Sequence, residues 1–156
     1  MRSNFRAYLP AALMAIGLCF TLAHAQKKPN VSGTWKMNPA KSKFSPPSGP
    51  EEMIIKFEQK ETSLHETFTI SEEHHEHSFE LEYTLDGEKQ TQEVDGVDGQ
   101  VSAKWEGETL VLEWKIEGDT VQRKITLSAD GKTMTMIARQ SSQGSQTTDT
   151  VVLDKQ

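Results

Sequence analysis

The sequence predicts an all-β chain, an up-and-down antiparallel β-barrel of about 8–10 strands preceded by an N-terminal signal helix. Three observations carry this. From Met53 onward apolar residues recur at every second position, Gly-containing turn signals separate the runs, and no segment has the length of a crossover helix.

Residues 1–25 hold Arg2 and Arg6, no acidic residue, an apolar run from Leu9 to Leu22, and then Ala23-His24-Ala25. This is the pattern of a secretory signal peptide cleaved after Ala25, the apolar core of about fourteen residues being shorter than the twenty or so that span a bilayer. The expected location is therefore periplasmic or secreted. Cys19, the only cysteine, falls inside this segment, which leaves the mature part without disulfide, thiolate ligand or thiol nucleophile.

Residues 26–156 form the expected domain, a length that suits one core. Removing Arg2 and Arg6 from the 17 basic residues leaves 15 against 23 acidic ones, a formal charge of −8. Such a surface repels nucleic acid and anionic headgroups, arguing against both as partners, against stable membrane association after cleavage, and in favour of a monomer.

The elements follow in order. Trp35 opens a first strand. Pro39, Pro46, Pro47, Gly49 and Pro50 then make residues 38–50 a loop, with room for one helical turn at Pro39-Ala40-Lys41-Ser42. Met53, Ile55 and Phe57 share one face of a strand, as do Leu64, Phe68 and Ile70, then Phe79, Leu81, Tyr83 and Leu85. Val101, Ala103 and Trp105 follow, then Leu110, Leu112, Trp114 and Ile116, then Val121, Ile125 and Leu127, then Met134, Met136 and Ala138. Asp86-Gly87, Asp95-Gly96, Asp98-Gly99, Glu106-Gly107, Glu117-Gly118 and Asp130-Gly131 read as the turns between them. A meander with one apolar face and no spare residues to cover it closes on itself, which also removes its exposed edges.

Gly33-Thr34-Trp35 on the first strand resembles the G-x-W start of lipocalin and calycin barrels. The longer run Ser32 to Phe44, with Ser128-Ala129-Asp130-Gly131-Lys132-Thr133-Met134-Thr135 and the ending Asp154-Lys155-Gln156, resembles a group of small secreted bacterial proteins with a lipocalin-like barrel, mostly of unassigned function. The resemblance implies a calycin-type barrel with an internal cavity for a small hydrophobic or amphipathic molecule, and Trp35 packed structurally across the closed base. The mature part lacks the cysteines of the C-terminal bridge found in many lipocalins, and its length is nearer that of the fatty-acid-binding barrels.

Two polar residues share the inward phase. Arg123 alternates with Val121, Ile125 and Leu127, and Glu66 with Leu64, Phe68 and Ile70. Either Arg123 grips a ligand carboxylate bidentately, with Tyr83 as a second polar contact, or it pairs with Glu66 or reaches the rim. Trp105, Trp114 and Phe68, among the aromatics and methionines, suit an adaptable pocket as well as a core; Trp35 reads as core.

In Ser71-Glu72-Glu73-His74-His75-Glu76-His77, the imidazoles of His75 and His77 point to one side of a strand. With His65 or Glu73 as third ligand they form a candidate zinc or copper site; the competing reading is a solvated hairpin. The sequence contains no G-x-S-x-G elbow, P-loop or H-E-x-x-H, so the reading is a non-enzymatic binding protein without cofactor. A metal module, or a ligand-free structural protein of the cell envelope, are the alternatives.

Overall fold

The computed structural model describes residues 28–46, 49–94 and 96–156. The expected signal helix, its cleavage site and Cys19 lie outside these residues. Ten antiparallel strands run in order: β1 (Gly33–Met37), β2 (Glu52–Gln59), β3 (Ser63–Glu72), β4 (His75–Thr84), β5 (Gln90–Val94), β6 (Val97–Glu106), β7 (Thr109–Ile116), β8 (Asp119–Leu127), β9 (Thr133–Ser142) and β10 (Ser145–Lys155). They pair in the spatial order β4-β3-β2-β1-β10-β9-β8-β7-β6-β5, the barrel passing through its two chain ends where β1 meets β10. The described residues contain no helix; the helical turn allowed at Pro39 to Ser42 is a tight turn in which the Asn38 carbonyl accepts from the amides of Lys41 and Ser42.

Closure is incomplete at one seam. No backbone ladder joins β4 to β5, and side-chain amides stand in for it. Gln90 accepts from the Thr84 amide at 3.0 Å and Gln92 from the Glu82 amide at 2.9 Å, while the Gln92 amide donates back to the Glu82 carbonyl. Two strands escape the period-two signal for a physical reason. β5 presents Gln90, Gln92 and Val94 on its inner phase because it serves the seam, and β10 is polar from Ser145 to Thr150 because that half rises past the core. The Asp98-Gly99 pair, expected as a turn, lies inside β6 instead. Gly99 is buried there, and a Cβ at this position would sit 2.7 Å from Ile116 Cγ1, so the glycine serves close packing across the β6–β7 pair.

The strand alternation sends one phase inward, where Trp35, Ile55, Phe57, Leu64, Leu110, Leu112, Ile125, Met134 and Leu153 are buried. These cluster toward the end that holds the β2–β3, β4–β5, β6–β7 and β8–β9 turns. Trp35 closes this base: it is fully buried, its Nε1 donates to the Val31 carbonyl at 2.8 Å, and Lys155 Nζ lies 5.2 Å from its ring. Burying side chains of this size stabilises the fold by roughly 1.5–3 kcal/mol each. At the opposite end the same phase carries His75, His77, Gln140 and Thr147, all exposed. The β3–β4 and β9–β10 hairpins stand above the core there, and residues 43–45 brace the second of them, through the Lys43–Thr150 bridge and the Asp149 carboxylate that accepts from the Ser45 amide at 2.6 Å. The barrel is therefore a cup: packed solid at its base and open, with polar walls, at its mouth.

Candidate functional site

The floor of the cup is a polar quartet under aromatic rings. Arg123 on β8 and Glu66 on β3 face each other across the interior, 2 % and 0 % exposed. Arg123 Nη1 donates to Glu66 Oε1 at 2.6 Å and Nη2 to Oε2 at 2.7 Å, a bidentate pair. Nη2 also donates to Tyr83 Oη at 3.2 Å; the phenol donates to Glu66 Oε2 at 2.9 Å and accepts from Trp114 Nε1 at 2.6 Å. Of the two sequence-based readings of Arg123, the internal pair with Glu66 is the one formed, and the guanidinium is not free to grip a ligand carboxylate end-on. Its Nε alone has no acceptor among the described residues.

Burial works against the charge of Arg123, yet the Glu66 carboxylate and the Tyr83 oxygen outweigh it and hold the guanidinium above its ordinary pKa. Burial, reinforced by the negative charge of Glu66, pushes the Tyr83 phenol well above its usual value. Tyr83 is thus a hydroxyl donor at every physiological pH.

Three rings roof this quartet. Phe68 stacks on Phe79 at 5.1 Å, and Trp114 meets them edge-on at 5.9 and 5.2 Å. The Arg123 guanidinium lies 4.1 Å from the Trp114 ring centre, so Trp114 both roofs the cation and bonds its network. Phe79 and Trp114 themselves, with Ile70, Ile116 and Val121 above them, remain partly exposed on the inward phase. Trp114, Ile116 and Val121, with Glu117, Asp119 and Gln140 at the edge, line a recess of about 260 Å³. A second, wider cleft of about 560 Å³ lies at the β3–β4 side of the mouth against Glu51, Glu72, Glu73, His75 and His77. The Glu73-His74 turn that borders it has two non-glycine residues at positive φ, 47° and 67°. The β7–β8 and β9–β10 turns carry glycine at the second position instead.

Arg123, Glu66, Tyr83, Trp114 and Phe68 thus all take the inward face that the sequence phase predicts, and the strand pairings bring them together. Trp105 does not join them; it faces Leu110 toward the closed end, its Nε1 buried without a partner among the described residues. The metal set is not assembled either. His65 falls on the outward phase of β3, where its Nδ1 lies 2.8 Å from Glu82, and it is about 17 Å along the strand from the level of His77. His75 and His77 do share a face, and among the described residues no three His, Cys, Asp or Glu side chains converge as a metal site. Ile116, Val121 and Gln140 join the site without a distinguishing signal in the sequence, because their phase matches that of core residues.

No protein-family model and no curated protein matches the sequence. Solved structures do. Secretory abundant heat soluble protein 4 from Ramazzottius varieornatus is 18% identical over 85% of this chain and 99% of its own, with a TM-score of 0.58. The fatty-acid-binding protein 1 of Echinococcus granulosus is 11% identical over 80% of this chain and 96% of its own, TM-score 0.57. A fatty acid transporter, REP1-NXSQ, is 11% identical over 81% and 96%, TM-score 0.55. At these identities the similarity establishes the fold alone, an antiparallel calycin-like β-barrel.

Proposed function

We propose that the protein is a non-catalytic binding barrel for a small amphipathic molecule, held in the open half of the cup with its apolar part on Phe79, Trp114, Ile116 and Val121. One observation carries this reading. Apolar side chains that could have been covered by the chain are left partly exposed at the bottom of a concave, polar-walled mouth, an arrangement that serves ligands rather than stability. The quartet beneath is a rigid, satisfied floor, and Trp114 is the residue common to both. Two of the similar structures are a fatty-acid-binding protein and a fatty acid transporter, which supports a hydrophobic cargo for this barrel type. Export after cleavage at Ala25, and membership of the small secreted bacterial barrels, belong to the same reading.

The test uses a neutral apolar fluorophore, N-phenyl-1-naphthylamine, excited by energy transfer from tryptophan. Saturable binding is expected, weakened at least tenfold by Ile116→Asp or Val121→Asp and unchanged by Ile137→Asp on the outer face. Absence of saturable binding, or equal loss in the outer-face variant, would refute it.

A further inference from the structure

The cup has a charge as well as a shape, and the two together select a ligand class. We propose, resting on the binding-cup reading, that the site takes amphiphiles with a cationic head, an amine or a quaternary ammonium, and rejects anionic ones.

The interior offers an entering anion no free terminal guanidinium nitrogen and no ammonium among the described residues. Among the described residues no lysine or arginine takes the inward phase between the aromatic rings and the mouth; Arg123 lies beneath the rings, and both of its terminal nitrogens are engaged by Glu66 at 2.6 and 2.7 Å. An entering carboxylate would meet a neutralised pair behind Trp114, and reaching it would place two carboxylates on one guanidinium.

The walls favour the opposite charge. Glu51, Glu72 and Glu73 line the wide cleft, Glu117 and Asp119 line the apolar recess, and among the described residues no lysine or arginine lines either cavity. Lys115 and Arg139 on the neighbouring strands occupy exposed, outward alternate positions, and Lys43 is carried outside on the segment bridged to Thr150. His75 and His77 also line the wide cleft, and His74 Nδ1 lies 3.8 Å from Glu51. Like-signed carboxylates above a low-dielectric floor reinforce one another, and the chain's net charge of −6 extends the same field outward. The floor is compatible with a cation as well, since aromatic faces attract ammonium groups whereas they repel carboxylates.

Three probes of equal chain length, decyltrimethylammonium, 1-decanol and decanoate, are used to displace N-phenyl-1-naphthylamine at pH 8 in low salt. Decyltrimethylammonium is expected to bind at least about tenfold more tightly than decanoate, with decanol between, and the spread should shrink severalfold in 0.5 M NaCl as the field is screened. Combining Glu72→Gln, Glu73→Gln, Glu117→Gln and Asp119→Asn, all rim positions outside the core, should flatten the order without removing decanol binding. Equal displacement by all three, or tightest binding of decanoate, overturns the head-group inference while leaving the cup reading intact. Failure of the fluorophore and of every probe to bind overturns the cup reading, and the inference with it.

Discussion

The buried pair is the point at which a single charge change should be felt most. Replacing Glu66 with Gln leaves the Arg123 guanidinium, 2 % exposed and held by two short charge-assisted bonds, facing a neutral amide. Two unit charges about 4 Å apart interact by roughly 4 kcal/mol at an effective dielectric constant near 20. Breaking a buried pair by removing one partner typically costs about 3–5 kcal/mol. Glu66→Gln and Arg123→Met should each destabilise by about that amount, moving a urea midpoint by about 2 M for a slope near 2 kcal/mol/M. Glu66→Leu with Arg123→Met should recover most of the loss, because no charge is then left unpaired. Urea unfolding followed by circular dichroism reads all of these on one scale. Single variants that lose less than about 1 kcal/mol, or a double variant that loses the sum of the two, would show that the pair is not the buried unit described.

The alkaline limb of stability should depend on Tyr83. Its phenol has a raised pKa in the folded chain, so its contribution is fully present below the unfolded value near 10.0 and is lost as pH climbs from there toward the folded pKa; Tyr83→Phe should flatten the decline above pH 10 in a thermal-melt series. The Glu73-His74 turn stores backbone strain, since L-residues in the left-handed region cost roughly 1–2 kcal/mol each. Glu73→Asn with His74→Gly should therefore raise the melting temperature by several degrees, and no rise would argue that the tip is unstrained. Replacing Gln90 and Gln92 with alanine removes the rungs of the β4–β5 seam, and the amides of Glu82 and Thr84 should then exchange with deuterium much faster while those of the β3–β4 ladder stay protected. N-terminal sequencing of the secreted product should begin at Gln26; an intact Met1 would refute processing there.

Much of the architecture was legible in the chain. Alternating apolar residues named the inner face of seven strands, Asx-Gly and Glu-Gly pairs marked most turns, and Gly33-Thr34-Trp35 marked the first strand and the base. Phase alone also put Arg123 and Glu66 inside. Period two reports which face a side chain takes but not its height along the barrel axis. For that reason Ile116 and Val121, half-exposed at the mouth, read the same as Leu110 and Ile125, buried at the base.

The tertiary structure decided what depends on register between distant strands. It brought Glu66 and Arg123, 57 residues apart, within 2.6 Å and so consumed the cation that a ligand acid would need. It also turned Asp98-Gly99 from an apparent turn into a packing site against Ile116. The local sequence determines which residues face inward; the ring of strand pairings determines which of them meet, and with what charge left over.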